Sequence, residues 1–356
     1  DQRTRLAVEG NTLGHRMREL SGREREYSLL QKGVLAGIRI VKGTELLLQS
    51  MAKVGVPEEY RERYEQITEM LRDSNLSWAL SLKNPKKLPY ARMADYDFRF
   101  RFEGNERCKR LLSCLYELDV YIAVAGVARK RGLVFGRALE PEANVFHAEG
   151  MYHPLLSGAV ANTLHADGNS NVIFLTGANM AGKSTLMKAF SITLFLAHMG
   201  FPLPVSRMEF SVRNGMYTTI NLPDDLDMGY SHFYAEVLRV KKVAIEVSRN
   251  KRLVVIFDEL FKGTNVKDAY DATLLVADAL AERQNCSLLI STHIIEVAEE
   301  LKKKRDNINY EYLPTVMKGS VPTYTYKLEP GVTRDKHGMI ILQNERVIET
   351  ILGENK

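Results

Sequence analysis

Three cysteines, Cys108, Cys114 and Cys286, are all that 356 residues contain, and none stands in a Cys-x-x-Cys spacing. An odd, scattered set excludes a disulfide framework as the organising device of the fold. It leads to the expectation of a reducing, cytoplasmic setting. Long hydrophobic runs are also lacking. The least charged apolar stretches, residues 120–128 and 192–199, fall short of the about 20 residues that cross a bilayer. No membrane contact is therefore expected in this segment. No basic-then-apolar leader opens the chain, which begins at Asp1 and reads as a piece of something longer. There is no internal repeat and no low-complexity linker. Apolar residues at 45% and charged residues at 26% exclude a disordered chain, and the length suits two domains.

A strong excess of one charge is absent as well, the net charge being +5, but its distribution is uneven. Residues 1–140 carry 26 Lys and Arg against 19 Asp and Glu, whereas the remainder carries 23 against 25. A basic N-terminal part fits contact with a polyanion, and fits equally a helical region with a solvated basic face.

That first part reads as helices. Leu29, Leu30, Val34, Leu35, Ile38, Val41 and Leu46 recur at helical spacing within residues 12–49. Pro57 followed by Glu58 and Glu59 marks a helix start, with the helix running to about Arg72. Tyr96, Phe98, Phe100 and Phe102 alternate with Asp97, Arg99 and Arg101, a pattern that formally predicts a strand. The same interleaving suits a nucleic-acid surface or an aromatic edge packed on helices. A long helix is predicted over residues 106–131, with Leu111, Leu115, Leu118, Ile122 and Ala125 on one buried face.

After about Gly136 short apolar runs alternate with helices. Residues 172–176 precede a helix from Lys183, residues 253–257 one from Asp268, and residues 287–291 one from Ile294. This order predicts an α/β fold with a mostly parallel sheet flanked by helices and preceded by an α-helical domain. The division expected is a helical domain over residues 1–138 and an α/β domain over 139–356. Ligands bind at the carboxyl ends of such strands.

Three strand ends carry the chemistry. Gly177-Ala178-Asn179-Met180-Ala181-Gly182-Lys183-Ser184 follows the strand 171–175 and opens a helix, as a phosphate-binding loop requires. With that loop the fold expected is a P-loop NTPase, and residues 139–356 are its ATPase domain. The glycines let backbone N–H groups converge on phosphate oxygens, and the helix end adds about half a positive charge. Lys183 reaches the β- and γ-phosphates of ATP, the Ser184 hydroxyl binds Mg2+, and Thr185 completes the first turn. Asp258, closing the run 253–257, is placed to hold the magnesium shell, and Glu259 to accept a proton from the attacking water or orient it. His293, after residues 288–292, is placed to sense the γ-phosphate or position that water.

The sequence 176–185 resembles the P-loop of the MutS family of DNA mismatch-repair and recombination ATPases, which has Asn-Met at its centre. Asp224-Asp225-Leu226 with Gly229, Ser231, Phe233 and Glu236 is similar to that family's signature loop. Asp258-Glu259 with Gly263-Thr264, and Ser291-Thr292-His293, look like its further nucleotide motifs. His153-Pro154 stands at its domain entry, and Glu117-Leu118-Asp119 resembles its lever. The resemblance covers about residues 105–345. It implies ATPase domains that pair as a homodimer, with Ser231 of one subunit meeting the γ-phosphate of the other and Asp224 and Asp225 shaping the loop. It further implies that nucleotide state governs contact with double-stranded or branched DNA.

Departures from the pattern are Ala178 for a proline, Ala181 for a glycine, Lys262 for an arginine, His232 for a threonine, and Ala159 where an aromatic is expected near the base. The only Phe-x-Glu is Phe257-Asp258-Glu259, so no mismatch-reading wedge is expected in these residues. Two other readings remain. An ABC or chromosome-structure ATPase needs a Ser-Gly-Gly signature before its acidic strand, and none is present. An ATP-driven switch binding a protein partner shares the whole nucleotide site.

Overall fold

The computed structural model describes residues 11–14, 17, 26–83, 88, 90–220, 232–318, 321–333 and 346–351. The chain divides into two units, Asp1–Ala125 and Gly126–Lys356.

In the first unit, α1 (Glu26–Val54) and α2 (Glu58–Arg72) pack with α3 (Tyr90–Phe98) and the start of α4 (Asn105–Arg131). Pro57 precedes α2, whose first turn holds Glu58 and Glu59 and whose last holds Arg72, charges that oppose the helix dipole at each end. Val34, Ile38 and Val41 meet Ile67, Leu71 and Leu111 in its core.

Two sequence expectations fail here. Residues 96–102 are not a strand: α3 continues into a π-helical turn, Arg99–Glu103. Asp95 pairs with Arg99 at 3.0 Å and Asp97 with Arg101 at 2.7 Å, contacts between residues four apart that only a helical backbone brings together. Tyr96 stacks on Trp78 at 4.6 Å and Phe98 on Phe102 at 5.3 Å. Nor is the apolar face of α4 buried throughout. Leu111 is buried, but Ile122 is 59% exposed. The cause is the reach of α2, which lies along α4 through Asp73–Arg107, Arg63–Glu117 and Tyr60–Tyr121 contacts and begins at Glu58.

By length and composition α4 is the one helix among the described residues apolar enough to cross a membrane. Glu117 lies in it and pairs with Arg63 at 3.0 Å, an arrangement that a bilayer interior penalises.

The second unit is built on a six-stranded sheet of β4 (Val172–Gly177), β6 (Gly215–Thr219), β7 (Leu253–Asp258), β8 (Ser287–Ser291), β9 (Ile308–Leu313) and β12 (Glu329–Pro330), while β10 (Thr315–Lys318) and β11 (Val321–Tyr324) pair as a separate hairpin. The order across the large sheet is β12-β9-β4-β8-β7-β6. All neighbours are parallel except the edge strand β12. The fold class read from the alternation of strands and helices is therefore the one present. Every residue of β4, β7 and β8 is buried, as in a parallel sheet covered on both faces.

On one face lie α5 (Lys183–His198) and a four-stranded sheet of order β1-β5-β2-β3, made of Arg137–Leu139, Arg207–Ser211, Phe146–Met151 and Asn162–Ala166. On the other lie α6 (His232–Ser248), α7 (Val266–Ala281) and α8 (Ile295–Lys304). Phe174, Phe257 and Ile290 are fully buried on that second face, each contributing about 1.5–3 kcal/mol relative to exposure.

Arg213, in the link between β5 and β6, is buried and joins both sheets. Its guanidinium donates to the Asn144 side chain, to the Asn285 carbonyl at 3.2 Å and to Ser287 Oγ at 2.8 Å. Burial pulls its pKa down to about 10; among the described residues no carboxylate pairs with it.

Candidate active site

The side-chain alternation of β4, β7 and β8 decides which residues meet. Ile173 and Leu175, Val254 and Ile256, and Leu289 belong to the core on the α5 side. Two-residue periodicity carries Asp258 and Ser291 to that same face. The strand pairing sets Ser291 beside both Leu175 and Asp258. The acidic strand end thus lies on the face that bears the P-loop helix.

The loop itself is shaped by two glycines. Gly177 has φ +152°, and a Cβ there would stand 3.2 Å from the Leu313 carbonyl oxygen. Gly182, at the N-cap of α5, has φ +102°, and a Cβ would stand 3.1 Å from the Tyr326 ring. Both positions require glycine for conformation and for room. Between them Ala178, Asn179 and Met180 rise to the surface while Ala181 is buried, with Met180 at φ +66°. Ser184 and Thr185 lie in the first turn of α5, where backbone N–H groups lack helical acceptors.

Lys183 is only 5% exposed. Its ammonium donates to the Gly177 carbonyl at 2.8 Å and the Ala178 carbonyl at 3.3 Å, and lies 3.8 Å from Glu259 Oε1. Burial draws the Lys183 pKa below its ordinary value, against the opposing pull of the Glu259 and Asp258 charges. P-loop, Lys183 and acidic strand end therefore form one site.

Asp258 is buried, and its Oδ1 accepts a 2.6 Å hydrogen bond from Ser291 Oγ. The Glu259 N–H donates to the Ser291 carbonyl at 3.1 Å, with Ser291 Oγ at 3.3 Å. Two residues after Asp258 adopt left-handed backbone, Glu259 at φ +54° and Phe261 at φ +59°. For side chains of this size the conformation costs about 1–2 kcal/mol each. The buried Phe261 ring is 5.7 Å from Phe233 on α6. His293 stands exposed just beyond β8, and Thr292 before it is anchored by its N–H to the Leu175 carbonyl at 3.2 Å. Ser231, Asp224, Asp225, Leu226 and Gly229 lie outside the described residues, as does the side chain of His232.

Beside the P-loop opens a cleft of about 380 Å³ lined by His153, Leu156, Met180, Leu186, Leu313 and Tyr326. Asn162 closes one wall, donating to the Tyr326 carbonyl at 3.0 Å and accepting the Leu328 N–H at 2.7 Å. Sequence reading passed over Tyr326, which no local motif marks. Its only signal is aromatic alternation with Tyr324.

The site fits a magnesium nucleotide on its own geometry. It offers a glycine cradle that side chains would fill, a buried ammonium and a buried carboxylate at one strand end, and a cleft of about 380 Å³ alongside.

The interleaved Arg99 and Arg101 side chains are each held by a carboxylate one turn back, and Tyr96 and Phe98 are buried. Of the other two aromatics Phe100 is half-buried and Phe102 is exposed.

Residues 173–355, just over half of the chain, match the family model for MutS domain V. Curated relatives are DNA mismatch repair proteins MutS. That of Listeria welshimeri is 25% identical over 268 residues, covering 70% of this chain and 31% of the relative. Those of Lysinibacillus sphaericus and Staphylococcus epidermidis are 25% and 26% identical, covering 69% and 66% of this chain and 29% and 27% of the relatives. The chain thus spans about a third of the length of the relatives it matches.

Proposed function

The chain belongs to the MutS family through its domain V, and from that premise we propose that it binds Mg-ATP at the P-loop and hydrolyses it to ADP and phosphate. The observation that carries this reading is the convergence of the buried Lys183 ammonium, the Gly177–Gly182 loop and the Asp258–Glu259 strand end within one site.

In this proposal the backbone N–H groups of residues 178–185 and the α5 N-terminus hold the phosphates, and Lys183 turns its ammonium from the loop carbonyls to the β- and γ-phosphates. Ser184 and Asp258 would hold magnesium, which when bound would neutralise phosphate charge. Glu259 orients water and takes its proton, with His293 near the γ-phosphate. The base enters the cleft against Tyr326.

Tyr326→Ala is expected to weaken ATP binding roughly tenfold, a typical loss for base stacking on an aromatic, while leaving competition by inorganic tripolyphosphate unchanged. An equal loss for both ligands would show that Tyr326 merely supports the loop at Gly182.

Through its family the chain is further proposed to pair as a homodimer, with Ser231 entering the partner's site. Its nucleotide state is proposed to govern contact with double-stranded or branched DNA, in mismatch repair or recombination control. Free thiols at Cys108, Cys114 and Cys286 suit the reducing cytoplasm proposed for it. A second reading, an ATP switch for a protein partner, gains from the ion pairs that engage Arg99 and Arg101.

Phosphate release from ATP is expected to require magnesium, and sedimentation to report dimers with ATP. DNA affinity should fall steeply with salt. Absence of turnover would overturn the ATPase reading, and absence of DNA binding at low salt would favour the protein-partner reading.

A further inference from the structure

We propose that Ser291 is a positioning residue of the hydrolytic centre, which sets the carboxylate of Asp258 for the metal and the backbone of Glu259 for the water. The proposal rests on the Mg-ATPase reading above and adds to it a residue that touches neither nucleotide nor metal.

A fully buried serine at the carboxyl end of this strand needs an explanation. β8 reads Ser-Leu-Leu-Ile-Ser, and Ser291 is 0% exposed between two neighbouring strands. A buried hydroxyl without a partner costs about 1–3 kcal/mol, so either an apolar residue or a bonded hydroxyl belongs there. The hydroxyl is bonded, and to a charged acceptor. It donates to Asp258 Oδ1 at 2.6 Å, the short distance of an O–H to carboxylate bond.

That one bond commits a single carboxylate oxygen to the sheet. Among the described residues no other side chain donates a hydrogen bond to Asp258. It is the last residue of β7, and the backbone leaves the strand geometry directly after it, at Glu259.

The same serine anchors that departure. Glu259 holds φ +54° and donates its N–H to the Ser291 carbonyl at 3.1 Å, with Ser291 Oγ also within 3.3 Å. Left-handed backbone at a glutamate persists only where its surroundings over-determine it. Ser291 supplies that restraint from the neighbouring strand. Its main chain holds the backbone of Glu259, and its side chain holds the carboxylate of Asp258.

This division makes the two roles separable. Ser291→Ala removes the hydroxyl but keeps the carbonyl, so Glu259 stays anchored while Asp258 loses its restraint. Ser291→Thr keeps the hydroxyl on a β-branched side chain suited to a strand. Residues that orient a metal ligand typically alter metal affinity by about 10–100-fold when removed.

The test uses the 356-residue chain with a non-hydrolysable ATP analogue and Mn2+ as the metal probe, free Mn2+ being measured by electron paramagnetic resonance. Ser291→Ala is expected to weaken Mn2+ binding roughly tenfold or more, with analogue affinity in EDTA unchanged. Ser291→Thr is expected to restore most of it. Ser291→Ala on an Asp258→Asn background should add no further loss, because the serine acts through Asp258.

Wild-type metal affinity in Ser291→Ala would overturn the proposal. So would a lowered melting temperature with unchanged Mn2+ affinity, which marks a purely structural serine. If the wild type takes up the Mn2+-analogue but releases no phosphate from ATP, the hydrolysis reading alone fails, and the Ser291 comparison still decides. If the wild type takes up no Mn2+-analogue, both fail together.

Discussion

Lys183→Ala is expected to lose about a hundredfold in ATP affinity without loss of fold. The ammonium is buried and already engaged with the Gly177 and Ala178 carbonyls. Truncating one partner of a buried, hydrogen-bonded charge pair costs about 3 kcal/mol, or roughly a hundredfold in Kd.

The pH dependence has a defined sign. Burial holds the folded pKa of Lys183 below its ordinary value. As pH rises through that lowered value the lysine loses the charge that meets phosphate. ATP affinity should therefore decline at a lower pH than an exposed lysine would allow, and Lys183→Ala should lack the decline. In the nucleotide-free protein the unfolded chain binds more protons at this lysine between the folded and unfolded pKa values. Stability from this group accordingly rises with pH across that window, and below it the buried charge is a cost. Lys183→Ala should consequently melt no lower than the wild type at neutral pH. Calorimetric titration against pH with a thermal melt decides both points, and undiminished ATP affinity would remove Lys183 from the phosphate site.

Glu259→Gln is expected to bind ATP with near wild-type affinity and to turn it over about 10²–10⁴-fold more slowly, the usual contribution of a positioned general base. Glutamine keeps the shape of the side chain and the Glu259 N–H bond to β8, so the strained φ is undisturbed. What it loses is proton acceptance. The side chain lies 3.8 Å from the Lys183 ammonium, so the exchange also removes one charge opposing that lysine's lowered pKa. A single-turnover measurement separates chemistry from binding, and unchanged turnover would sink the role assigned to Glu259.

The candidate site was legible in the sequence as far as its elements are local. Eight consecutive residues make the P-loop, and Asp258–Glu259 and His293 each follow a run of apolar residues that announces its own strand, whereas Ser231 lies outside the described residues. The contacts that align these strand ends were not legible. Ser291 and Asp258 lie 33 positions apart, and nothing in either segment states that β8 lies between β4 and β7. Tyr326 reaches Gly182 from still farther along the chain.

In the helical unit the misreading has a definite cause. Four aromatics at alternate positions satisfy a two-residue period, yet Asp95 with Arg99 and Asp97 with Arg101 also satisfy a four-residue one. The charged pairs, not the aromatics, carried the signal. The buried face assigned to α4 failed for a different reason. Periodicity describes a helix's own surface and says nothing of how far a neighbour extends along it.

Arg213 has a mechanical consequence. It ties the link between β5 and β6 to Ser287, the first residue of β8, and to Asn144 just before β2. Lys183, Asp258 and Glu259 lie at the opposite, carboxyl ends of the strands. At that other end Asn162 of the small sheet is bonded in turn to the Tyr326 carbonyl and the Leu328 N–H, beside the P-loop. The small sheet is thus fastened at both of its ends, as a plank nailed at each edge is, and the cleft wall is held from two sides.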